Sequence, residues 1–104
     1  MAFNGNEGSF ITLSEAGQLT SNHRQAIPAA IKGEFFGKEK LQQILDEDKC
    51  IGIRCYYGEG GNGDWKLVLV GADEDENDLT DGYILETGYP CPPNCGNDNE
   101  LNSD

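Results

Sequence analysis

Two apolar runs on either side of a glycine-rich turn constrain this chain most. Cys50-Ile51-Gly52-Ile53-Arg54-Cys55-Tyr56-Tyr57 and Trp65-Lys66-Leu67-Val68-Leu69-Val70-Gly71 concentrate the β-branched, apolar and aromatic residues, and Gly58–Asp64 between them holds four glycines. This pattern predicts an antiparallel pair of strands, the core of a small domain. In the first strand Ile51, Ile53, Cys55 and Tyr57 share one face, assigned to the core, while Cys50, Gly52, Arg54 and Tyr56 share the other. The second run is apolar on both faces, as expected of a central strand covered by helices on one side and by Tyr56 and Trp65 on the other. Tyr83–Thr87 supplies a third strand, the minimum for a self-supporting sheet.

Helical periodicity lies upstream. Thr12-Leu13-Ser14-Glu15 matches a capping box and predicts a helix over residues 13–25 with a thin apolar stripe. Pro28 can open a second helix, with Ile27, Ile31, Phe35 and Phe36 as its apolar side. Leu41, Ile44 and Leu45 give a clear helical face to residues 38–47. The expected fold is therefore α+β, with N-terminal helices packed on a small three-stranded antiparallel sheet. Residues 1–10 are expected as a flexible N-terminus, 11–95 as a single domain, and 96–104 as a disordered acidic tail.

Charge narrows the function. Seven Lys and Arg stand against 19 Asp and Glu, a net charge of -12, which disfavours binding to nucleic acid or anionic lipid. The excess is uneven: residues 1–66 hold nine acids and all seven bases, and residues 67–104 hold ten acids and no base. A one-sign surface either keeps a protein in solution or meets a basic partner. With no basic start, no apolar leader and no run of about 20 apolar residues, the expected location is cytoplasmic.

Five places invite chemistry or contact. Cys91 and Cys95 flank Pro92-Pro93-Asn94 and are read as a zinc-binding pair, a local disulfide or a rigid turn with free thiols. Asp73, Asp75 and Asn77 match the first, third and fifth positions of a calcium loop, but Asp78 replaces its glycine and Ile84 its final glutamate, so a solvated turn is favoured. Gly58–Gly63 lacks the Lys-Ser/Thr and the following helix of a phosphate loop. His23, the single histidine, has no evident acidic orienter, so no set of nucleophile and base emerges. Arg54 stands either opposite Glu86 across the sheet or in a patch with Tyr56 and Trp65, a composition found at protein interfaces.

The order of the capping-box helix, Phe35-Phe36-Gly37, the Leu-containing helix, Cys50 to Gly58, Val68-Leu69-Val70-Gly71-Ala72-Asp73, Asn77-Asp78-Leu79 and Cys91-Pro92-Pro93-Asn94-Cys95 resembles a group of short bacterial proteins with no assigned activity. The resemblance covers roughly residues 11–95 and implies no substrate, cofactor or catalytic residue. The turn after Asp73, compact and Gly- or Asn-based in that group, here carries extra acids. The reading of the whole is a small acidic, non-enzymatic interaction or accessory protein without cofactor. Its expected contact residues are Arg54, Tyr56, Trp65, Asp73, Glu74, Asp75, Glu76 and Asp78, and its expected partner is a protein, in particular a basic one. The alternatives are a zinc module on Cys91 and Cys95 and a nucleic-acid mimic that occupies a DNA-binding protein.

Overall fold

The computed structural model describes residues 2–103, which form a mixed α+β protein. Those residues group into two compact units. The first holds the described residues up to Gly8 together with Phe36–Gly88, and the second holds Ser9–Phe35 and the residues from Tyr89 on.

The first unit is built on the predicted hairpin. Strand β2 (Gly52–Glu59) pairs antiparallel with β3 (Trp65–Ala72) over eight positions, from Gly52 opposite Ala72 to Glu59 opposite Trp65. Strand β4 (Ile84–Leu85) pairs with the other edge of β3, giving the order β2-β3-β4 and leaving β2 at the edge. Helix α2 (Lys38–Leu45) contacts β2 and β3. It buries Ile44, which with Leu69, Val70 and Ala72 makes up the core, each no more than 5% exposed. Gly71 is required at this contact, because a Cβ there would stand 2.9 Å from the Cys50 sulfur and 3.3 Å from both Ile44 and Leu79.

The predicted core face of β2 is only half right. Gly71, the register partner of Ile53, meets α2, but Cys55 and Tyr57 further along the same face are exposed. Helix α2, eight residues or about 12 Å long, is too short to cover strands of eight residues, about 26 Å, along their whole length.

In the second unit, α1 (Leu13–Ala26) starts where the capping box places it. The Thr12 hydroxyl accepts the Glu15 N–H at 3.1 Å, and the Glu15 carboxylate accepts the Thr12 N–H at 3.0 Å. No helix forms after Pro28. Instead Gly33–Phe35 is a strand, β1, paired antiparallel with β5 (Tyr89–Cys91), and the Lys32 N–H donates to the Cys91 carbonyl at 2.7 Å. The three residues between Pro28 and Lys32 are too few to nucleate a helix, whereas pairing with β5 satisfies the extended backbone at once.

The C-terminal segment, expected to be disordered, folds back within this unit. Gly17 lies so close to Glu100 that a Cβ would be 3.0 Å from both the Glu100 Cβ and its carbonyl oxygen. Arg24 donates to the Leu101 carbonyl at 2.7 Å and Lys32 to that of Asn102 at 2.8 Å, while the Asn99 side chain accepts the Leu101 N–H. Among the described residues no helix is long and apolar enough to cross a membrane.

Candidate functional site

The first unit gathers its polar chemistry on the face of the hairpin that carries the even-numbered residues of β2. Arg54 and Tyr56 are two apart on the strand and so project to the same side. The loop from Asp73 to Asp78 returns the chain across Ala72, which forms an isolated bridge with Asp78. This return brings the Asp78 carboxylate to both residues. One oxygen accepts from Arg54 and the other from the Tyr56 hydroxyl, and Arg54 also donates to the Glu76 carbonyl at 3.2 Å. The Phe3 ring stacks on the guanidinium, its centroid 5.5 Å from Cζ, and the Phe3 N–H donates to the Glu74 carbonyl at 3.0 Å. The start of the chain, expected as a flexible lead-in, thus contributes an aromatic lid and a backbone bond.

The electrostatics follow from these contacts. The Tyr56 hydroxyl foremost, and then Arg54, hold the Asp78 carboxyl below its ordinary value, against the opposing effect of partial burial. In return the hydrogen bond to Asp78 raises the Tyr56 phenol and the Arg54 guanidinium above theirs.

The acidic loop is ordered from within. Asp73 accepts the N–H groups of Asp75 and Asn77 on one carboxylate oxygen, each at 3.0 Å. Its own N–H donates to the Asn77 carbonyl, and the Glu76 N–H donates back to the Asp73 carbonyl. Glu76 sits at φ 71°, a left-handed position that glycine or asparagine occupies with less strain. With Asp73 turned inward and Asp78 neutralised by Arg54, Glu74, Asp75 and Glu76 are left exposed on a fixed backbone.

Trp65 does not join this patch. It pairs with Glu59, on the face of the odd-numbered β2 residues, opposite to Arg54 and Tyr56. Nor does Arg54 reach Glu86; its partner is Asp78. An anchor from the loop was legible only in part, because Asp78 was marked as one acid among several, and its pairing depends on where the return crosses Ala72. A cleft of about 320 Å³ lies beside Phe3, Gly5, Glu7 and Arg54. Its charged groups are already engaged, Arg54 by Asp78 and the Glu7 carboxylate by the N–H groups of Asn4 and Gly5. The arrangement suits contact across a surface better than capture of a small ligand.

In the second unit Cys91 and Cys95 are joined as a disulfide. Their sulfurs bond each other, so in this state the zinc reading lacks the two thiolates it needs. Among the described residues no group of three or more His, Cys, Asp or Glu side chains is placed to hold a metal ion. His23 Nε2 lies 3.0 Å from the Ile31 carbonyl, a bond in which that nitrogen carries the proton. Comparison with protein families, characterised proteins and solved structures returns no match to this chain.

Proposed function

We propose that this is a non-enzymatic interaction protein that presents its acidic loop to a basic surface on a protein partner. One observation carries the reading: Glu74, Asp75 and Glu76 project from a loop whose backbone is tied by Asp73, by the Arg54–Asp78–Tyr56 cluster and by Phe3. Ordering a charged loop before binding lowers the entropic cost of association and concentrates the attraction in one place. The helices-on-sheet arrangement belongs to the proposal in its reduced form, with α2 alone backing the hairpin and the loop at its edge. A Cys91–Cys95 disulfide persists in oxidising compartments, so a cytoplasmic placement applies to the dithiol form.

The test is affinity capture from cell extract at low salt with chemical cross-linking, run in parallel on wild type and on the Glu74→Gln, Asp75→Asn, Glu76→Gln triple variant. The expected result is a specific protein cross-linked to residues 73–78 of the wild type and lost from the variant. Equal capture by both, or cross-links confined to other residues, would reject the loop as the contact.

A further inference from the structure

The edge of the sheet leads beyond the acidic loop. Strand β2 is eight residues long, lies at the edge of the three-stranded sheet and contains neither proline nor lysine, the residues that usually blunt such an edge. The direction of its free backbone groups follows from the ladder. Gly60 donates to the Asp64 carbonyl, so that pair is hydrogen-bonded, and alternation makes the even pairs hydrogen-bonded back to Gly52 opposite Ala72. On β3, Gly71 accordingly turns its carbonyl the other way, to the Leu79 N–H. The main-chain groups of Ile53, Cys55 and Tyr57 therefore point outward, to the side where no strand among the described residues is paired, and only the Ile53 end adjoins the cleft lined by Phe3, Gly5 and Glu7. The side chains there are open as well, with Cys55 exposed and Tyr57 87% exposed.

We infer that the outer edge of β2 pairs with β2 of a second copy of this chain, antiparallel across a two-fold axis at Cys55. Two features select that occupant. Residues 49–58 contain no acid and carry Lys49 and Arg54, so in a chain of net charge -12 the strand itself adds no repulsion to a second copy, and Asp78 beside it is paired with Arg54. The register is also self-complementary. With Cys55 opposite Cys55, Arg54 lies opposite Tyr56 of the other copy on one face, and Ile53 lies opposite Tyr57 on the other. An axis at Arg54 would oppose two guanidinium groups, and an axis at Tyr57 would set Arg54 against Gly60. The product is a continuous six-stranded sheet, an isologous dimer that closes on itself and leaves no further β2 edge.

The test is the mass in solution together with amide hydrogen exchange. Light scattering should give twice the chain mass for the wild type, with the Cys55 and Tyr57 amides protected at high concentration and losing that protection on dilution. Cys55→Lys should be monomeric with an unchanged circular dichroism spectrum. Tyr57→Pro, which removes an outward N–H and no bond to β3, should be monomeric too. In the Cys50→Ser protein, mild oxidation with diamide should link Cys55 to Cys55, since a hydrogen-bonded antiparallel pair holds its Cα atoms about 5.5 Å apart, within disulfide range. A wild type that stays monomeric at millimolar concentration would overturn the inference. So would a dimer that both variants leave intact, or protected edge amides in a species of monomer mass, which would place some other segment on the edge.

Discussion

Asp78 is the residue on which the loop hangs. It joins β2, through Arg54 and Tyr56, to the acidic return, and its carboxylate must be ionised to accept both bonds. Because its folded value lies below the ordinary carboxyl value of about 3.9, its contribution to stability is fully present above that value and is lost as pH falls through the lowered one. A carbon-detected NMR titration should show Asp78 ionising below the ordinary carboxyl range. Tyr56→Phe should move that titration back up, because it removes the largest cause of the shift; an unchanged titration would mean the hydroxyl does not hold the carboxylate. Arg54 was legible in the sequence as an unusual charge in a strand, and Tyr56 as its neighbour on the same face. Asp78 could not be singled out among six neighbouring polar residues, because its partner is set by the path of the loop, and a backbone path is not a periodic signal. Phe3 was invisible for a similar reason: a lone aromatic among Gly and Asn carries no pattern until the chain folds over Arg54.

At the scale of elements, the best-read parts were those with both a periodicity and a punctuation mark. The hairpin had two β-rich runs and a glycine loop, and α1 had its capping box. Replacing Thr12 with Ala removes the hydroxyl that accepts the Glu15 N–H and should cost about 1 kcal/mol, measured by urea denaturation of the otherwise intact protein. A change within error would mean that the N-terminus of α1 is held by other contacts. The misread segment was Ile27 to Phe36, where proline and four apolar residues at suggestive spacing lost to pairing with Tyr89–Cys91, a partner more than 50 residues away and so beyond any local pattern. The expected patch of Arg54 with Tyr56 and Trp65 fails at Trp65 by register, since the pairing of Glu59 with Trp65 puts it on the opposite face.

For the whole molecule, charge is the property that organises behaviour. Ten acids and no base after Lys66 give the chain a strongly negative half, and the structure concentrates three of those acids on a preordered loop. The same charge acts oppositely on the two proposed associations. Two copies that meet at β2 repel through their net charge, so salt strengthens the dimer, whereas a basic partner on the loop is attracted, so salt weakens the complex. The most direct measurement is therefore the affinity of the purified protein for its captured partner across a salt series, made at a concentration where the dimer content is constant. Affinity should fall steeply as the screening length shrinks from about 10 Å at 0.1 M to about 3 Å at 1 M, and much less steeply for the triple loop variant. Affinity that does not depend on salt, or the same slope for both proteins, would contradict the proposed loop contact.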